Sequence, residues 1–172
     1  MAQKLSVPGA TWHDGLDSVP REGPLLIVAN EFLDALPVRQ IVRTENGWRE
    51  RVVVHNGERF LPVAGARPMD SAVPAELADS PEGTILESSP AAASMAYEIA
   101  ARLKAQGGAA LFIDYGYAEP RTGSTLQALR AHRKVDPFVD PGLADLTALV
   151  DFPQLKRIAL AGDVDCHGPL GQ

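Results

Sequence analysis

Two acidic clusters in this chain have the residue types to hold a cationic or hydroxyl-bearing ligand: Asn30, Glu31 and Asp34 in one, and Asp114 with Tyr115 in the other. Carboxylates accept hydrogen bonds from ammonium, guanidinium or ribose groups, and the Asn30 amide can both donate and accept. A second polar set follows: Gln127, His132, Asp145, Thr147 and Asp151 lie within a segment rich in Pro and Gly. His132 has the ordinary titration range of a general base, although Arg130 and Arg133 flank it as they would a surface histidine. Each residue also has a purely structural reading. Asn30 can cap a helix, Glu31 and Asp34 can complement its dipole, Asp114 can open a turn, and Asp145 and Thr147 can sit in a first helical turn.

What gives the acidic clusters weight is the element that precedes each. Leu25 to Ala29 is an unbroken apolar run, and Ala109 to Ile113 leading to Asp114 is another. Runs without alternation suit strands buried on both faces of a parallel α/β sheet. Ligands of such sheets bind beyond the carboxyl ends of the strands, which is where both clusters fall. A short helix of about two turns is expected from the Asn30 cap to the stop at Pro37. Ser89 and Pro90 open a further helix with Met95, Ile99 and Leu103 as its buried stripe and Gly107 at its end.

Between these lies an antiparallel insertion. Asn46-Gly47 and Asn56-Gly57 favour type I′ turns, so residues 38–45, 48–55 and 58–63 form a three-stranded meander. Residues 64–83 read as loop, 84–87 as a short strand and 116–142 as a long irregular excursion. A last helix is expected from near Pro141 through Leu146, Leu149 and Val150, with a break at Pro153.

Composition narrows the class. The 172 residues amount to about one domain, and 16 Lys plus Arg against 22 Asp plus Glu give a net charge of -6. That acidic balance argues against duplex nucleic acid or anionic membrane as a partner. The single cysteine, Cys166, allows no internal disulfide and no zinc cluster, so no metal is expected and a reducing, cytoplasmic setting is. No G-x-S-x-G, Walker A, G-x-G-x-x-G or H-E-x-x-H pattern is present.

The stretch Ile27-Val28-Ala29-Asn30-Glu31-Phe32-Leu33-Asp34-Ala35-Leu36-Pro37-Val38 resembles the signature of the MidA-like family of S-adenosylmethionine-dependent methyltransferases. Further stretches agree in order: Glu87-Ser88-Ser89-Pro90, Gly108 to Gly116, Thr125 to His132, Asp136-Pro137, Pro141-Gly142, Asp145-Leu146-Thr147 and Val150-Asp151-Phe152. The resemblance runs from about Trp12 to Gln172. It implies an α/β fold, a partial class I methyltransferase (Rossmann-like) sheet with an inserted meander. Leu25 to Ala29 would match its fourth strand and Ala109 to Asp114 its fifth.

The resemblance further implies S-adenosylmethionine as cofactor, with Asn30 touching its methionine end. Glu31 and Asp34 would orient a cationic acceptor such as a protein arginine, and Asp114 and His132 would shape the pocket or take the proton. Tyr115, Gln127, Asp145, Thr147 and Asp151 would line the substrate pocket. Family members carry His where this chain has Leu149. Their Gly-rich cofactor loop lies upstream of the position of Met1, so the chain resembles the middle and later part of a single methyltransferase domain. The competing expectation is a non-catalytic Rossmann-like module that pairs through its open sheet edge with a partner, the missing N-terminal part or a second copy.

Overall fold

A computed structural model describes residues 8–171; of the first twenty residues, which Pro8, Gly9, Gly15 and Pro20 mark as an irregular lead-in, 1–7 lie outside the described residues. Strand β1 (Leu25–Asn30) runs parallel to a strand at Gly108–Ile113, in register from Leu25 opposite Gly108 to Asn30 opposite Ile113. Gly108 begins that register because a β-carbon there would lie 1.9 Å from the Leu25 carbonyl oxygen, and its φ is +121°. Only glycine lets the two backbones meet so closely.

The inserted sheet comprises β2 (Arg39–Thr44), β3 (Gly47–His55), β4 (Phe60–Pro68) and β5 (Ile85–Ser88), all antiparallel in the order β4-β3-β2-β5. The expected meander is therefore present and gains a fourth strand, since residues 85–88 pair with β2. Positive φ falls on Gly47 and Gly57 but not on Asn46 or Asn56, so neither turn is type I′. Ile41, Trp48 and Met69 form this sheet's own core, with Val73 and Leu86 packed against it. The Trp48 ring, 2% exposed, donates from Nε1 to the Ala78 carbonyl at 3.1 Å, while its backbone N–H donates to Asp70 at 2.9 Å.

Helix α1 (Pro90–Gln106) follows β5, and the Ser89 hydroxyl caps it by accepting the Ala92 N–H. Strand β6 (Gly108–Ile113) comes next. The remaining strands are β7 (Gly116–Tyr117), β8 (Gln127–Arg130), β9 (Arg133–Val135), β10 (Asp145–Thr147) and β11 (Val150–Asp151), followed by helix α2 (Phe152–Ala161). A second core joins Leu33, Ala92 and Val150 to Phe112, Phe152 and Leu155, tying β6, both helices and the 31–36 turn together.

Other expectations change. β1 is not buried on both faces: Leu26 is 80% exposed and Val28 73%, because one face of the two-stranded sheet turns towards α1 while the other has no layer against it among the described residues. Residues 31–36 form turns and no helix. The 116–142 excursion contains a regular hairpin, β8–β9, whose turn residues Ala131 and His132 both have positive φ. No helix spans 141–150; that stretch supplies β10 and β11, and α2 starts only at Phe152. Pro153 sits in the first turn of α2, where its missing N–H would have had no intrahelical partner, so it does not break the helix.

Sequence reasoning also missed Arg102. It is 2% exposed on α1, and its guanidinium donates to the carbonyls of Leu16 and Pro20 at 2.7 Å and to Gln106 Oε1 at 2.8 Å. This planar fork of donors straps the segment before β1 onto the helix.

Candidate functional site at the strand ends

Because Asn30 pairs with Ile113, β1 and β6 end side by side, and the chain leaves both ends as polar turns. The Glu31 N–H donates to the Ile113 carbonyl at 2.8 Å, extending the ladder by one residue, and Glu31 then turns with φ of +48°. Past that turn, three successive N–H groups point at one carboxylate oxygen. Asp114 Oδ2 accepts from Phe32 at 3.1 Å, Leu33 at 2.8 Å and Asp34 at 3.3 Å. Asp114 Oδ1 accepts the Tyr115 N–H at 2.9 Å. The carboxylate thus supplies the partner that the first N–H groups after the strand lack, while Pro37, which has no N–H and disfavours helical backbone at Leu36, keeps these turns from growing into a helix.

Asp34 is 7% exposed. Burial raises its pKa above the ordinary value, and the negative charges of Asp114 and Glu31 raise it further. Its carbonyl accepts the Ala148 N–H at 2.9 Å, and the Val150 N–H donates to the Tyr115 carbonyl at 2.8 Å, so residues 148–150 brace both strand-end turns. Leu33 packs under the turn at 3% exposure, whereas Asn30, Glu31 and Tyr115 face solvent.

The structure therefore brings Asn30, Glu31, Asp34, Asp114 and Tyr115 to one edge. Gln127 and Thr147 also meet, Nε2 to Oγ1 at 3.2 Å, across the β8–β10 pair, while Asp145 at the end of that pair is exposed. Asp151 caps α2 by accepting the Gln154 N–H at 2.9 Å. It lines a small cavity of about 20 Å³, room for about one water, together with Leu33, Glu87, Tyr117, Val150 and Gln154. His132 sits in the exposed β8–β9 turn, on a different sheet from β1 and β6.

Tyr117 and Glu87 are cavity residues that sequence reasoning did not single out for a role. Burial raises the Tyr117 pKa, and the negative charges of Asp151 and Glu87 raise it further. The phenol thus stays protonated beside the Asp151 carboxylate, with the Arg121 guanidinium 5.9 Å from its ring centroid. Glu87 stands directly before the Ser88-Ser89-Pro90 helix start, and that position in the sequence was its only signal.

The acceptor-rich edge suits a cation, and the Asn30 amide adds a donor for a carboxylate. That combination fits S-adenosylmethionine, which carries a sulfonium, an ammonium and a carboxylate. Residues 2–170 match the family described as "Putative S-adenosyl-L-methionine-dependent methyltransferase". The chain belongs to the MidA-like S-adenosylmethionine-dependent methyltransferases.

Among curated relatives of this chain, the mitochondrial protein arginine methyltransferase NDUFAF7 of Danio rerio is 38% identical over 165 residues, covering 94% of this chain and 38% of the relative. The NDUFAF7 of Homo sapiens is 35% identical, covering 98% of this chain and again 38% of the relative. A solved COG1565 superfamily structure from Burkholderia thailandensis, bound to S-adenosyl-homocysteine, superposes with a TM-score of 0.66 at 33% identity, covering 86% of this chain and 40% of that one. The chain thus spans about 38% of the length of these curated relatives. The relatives are named as mitochondrial, and they lend no support to a cytoplasmic placement. Among the described residues no helix is long and apolar enough to cross a membrane.

Proposed function

We propose that this chain forms the acceptor-facing part of a methyltransferase that methylates a nitrogen nucleophile, a protein arginine being the substrate the relatives' names support. The cofactor supplies a methyl group already activated on a sulfonium, so the protein's task is positioning and proton removal. Glu31, exposed at the turn, holds the cationic guanidinium, and Asn30 contacts the methionine end of the cofactor. Asp114 shapes the pocket by fixing the turn. In-line attack by the nitrogen lone pair forms the N–C bond as the C–S bond breaks, and the nitrogen then sheds a proton. Asp34 is the stronger candidate to receive it, because its raised pKa makes its carboxylate a better base. His132 lies in the exposed β8–β9 turn on another sheet, so His132→Asn should leave turnover unchanged; loss of turnover in that variant would reassign the proton from Asp34 to His132.

The observation that carries this reading is the buried, raised-pKa Asp34 next to exposed Glu31 at paired parallel strand ends. Methyl transfer from labelled S-adenosylmethionine to an arginine-containing peptide tests it. Glu31→Gln should lower kcat/KM at least about tenfold, the loss of one charge-assisted contact, with the melting profile unchanged. Equal activity in wild type and variant would remove Glu31 from the site.

One observation favours a second reading. Leu26, Val28 and Leu111 expose 80%, 73% and 54% of their surface on one face of the β1–β6 sheet. Such a face suits a binding module that pairs with a partner or a second copy. That reading gains if the protein associates through this face, Leu26→Glu abolishes association, and S-adenosylmethionine does not bind.

A further inference from the structure

We propose that Glu87 is a positioning residue whose carboxylate terminates a directional hydrogen-bond relay, and that this relay sets residues 148–150 against the Asp34 turn. Five groups take part. Arg51 Nη1 donates to Gln40 Oε1 at 2.5 Å, and Gln40 Nε2 donates to Glu87 Oε2 at 2.5 Å. From the other side, Thr125 donates to the same carboxylate through its N–H, at 3.2 Å to Oε1, and through its hydroxyl. The Thr125 hydroxyl then accepts the Leu149 N–H at 2.8 Å. One residue earlier, the Ala148 N–H reaches the Asp34 carbonyl at 2.9 Å. The inserted antiparallel sheet, which supplies Arg51, Gln40 and Glu87, is thereby linked to the strand-end site.

The donor inventory fixes the direction of every bond. Arginine only donates, so Gln40 must turn its oxygen to Arg51 and its NH₂ to residue 87. Residue 87 then faces donors on both sides, Gln40 Nε2 on one and Thr125 on the other. Only a group that accepts on both oxygens satisfies them, and an ionised carboxylate does. Because the Thr125 hydrogen is committed to Glu87, its lone pair is aimed at the Leu149 N–H. Gln40 is 8% exposed and Ala148 4%, so water cannot readily stand in for lost partners.

A glutamine at position 87 has one accepting oxygen: turned to Thr125, it opposes its NH₂ to that of Gln40; turned to Gln40, it presses its NH₂ on the Thr125 hydroxyl, whose hydrogen then loses its acceptor. Gln40 could relieve the clash by flipping, but its NH₂ would then face Arg51, another donor. The pattern therefore makes a prediction specific to its direction: Glu87→Gln breaks the relay, and removing the Arg51 donor lets Gln40 flip and restores it.

Amide hydrogen exchange by NMR on the 172-residue chain tests this, comparing wild type with Glu87→Gln, Thr125→Val, Thr125→Ser and Glu87→Gln/Arg51→Met. Exchange at Leu149 and Ala148 should accelerate about tenfold in Glu87→Gln and Thr125→Val, as expected for losing one buried hydrogen bond, and should return close to wild type in Thr125→Ser and in the double variant. Unchanged exchange at Leu149 in Glu87→Gln overturns the proposal. So does a double variant that exchanges as fast as Glu87→Gln, and so does acceleration of all amides alike. Should Glu87→Gln not fold, Thr125→Val against Thr125→Ser decides by itself.

The proposal rests on the methyltransferase reading only for its consequence at the site. Titration of the same samples with S-adenosylhomocysteine keeps the two apart. Binding that weakens in Glu87→Gln and recovers in the double variant links the relay to the cofactor. No binding by wild type removes the strand-end cofactor site of this chain from the account, while the exchange comparison still decides the relay.

Discussion

Replacing Asp114 removes the acceptor that holds the Asn30–Asp34 edge in shape. In Asp114→Ala, the N–H groups of Phe32, Leu33 and Asp34 and that of Tyr115 lose their partner. Phe32 and Tyr115 are exposed, so water replaces the bond there at little cost. Leu33 and Asp34 are buried, and two unsatisfied donors at ~1–3 kcal/mol each give a destabilisation of about 2–4 kcal/mol once partial water access is allowed for. Asp114→Asn keeps one accepting oxygen but loses the charge, and its NH₂ must oppose either the Tyr115 N–H or the triple donor set; about 1–2 kcal/mol is expected. With a urea slope of about 2 kcal/mol/M, the denaturation midpoint followed by circular dichroism should fall by about 1–2 M for Ala and roughly half that for Asn. Asp114 is also one of the charges that raise the Asp34 pKa. The Asn variant should therefore lower the Asp34 pKa, read from its side-chain carbonyl resonance. A midpoint unchanged in the Ala variant, or an Asp34 pKa that rises in the Asn variant, refutes the assignment of Asp114 as the acceptor for this turn.

Other consequences follow from single contacts. Asp34→Asn should stabilise the protein at neutral pH while lowering methyl transfer. The folded-state pKa is raised, so as pH climbs past the ordinary 3.8 the unfolded chain loses its proton first, and stability falls through the window up to the folded value. The variant's stability-against-pH curve, from urea melts across that window, should be flatter there; a curve that still falls like wild type counts against it. Gly108→Ala should cost about 3 kcal/mol or more, from backbone clash and φ strain together, and should lower the melting temperature more than Gly107→Ala, whose added β-carbon meets nothing within 4 Å. Arg102→Met should release the segment around Leu16 to Pro20, seen as faster proteolysis there, with about 2 kcal/mol lost from the charged hydrogen bonds.

Much of the frame was legible because its determinants are local. The apolar runs 25–29 and 109–113, the Ser89-Pro90 start and the Gly107 stop of α1 each act within a few residues. The site was legible in composition but not in geometry. A capped helix after Asn30 was a sound local expectation, yet Glu31 takes a positive φ, and it is Asp114, some 80 residues away in the chain, that satisfies the N–H groups of the turn. The turn at Ala131 and His132 carries no Asn or Gly to announce its two positive φ values, so the hairpin it closes was hidden. Conversely, the Leu146, Leu149 and Val150 spacing imitates a helix in residues that pair with β8 and β7. Residues such as Arg102 and Glu87 take their roles from partners on other elements, and spacing along the chain carries no trace of that.

The central claim is that the ends of β1 and β6 form a site for the cofactor and its cationic acceptor. A titration of the isotopically labelled 172-residue chain with S-adenosylhomocysteine, followed amide by amide, tests it most directly. The account predicts saturable shifts concentrated at Asn30, Glu31 and the Phe32–Asp34 amides, and their loss in Asp114→Ala. Saturable shifts that leave those amides unmoved, or no shifts at millimolar ligand, would contradict it.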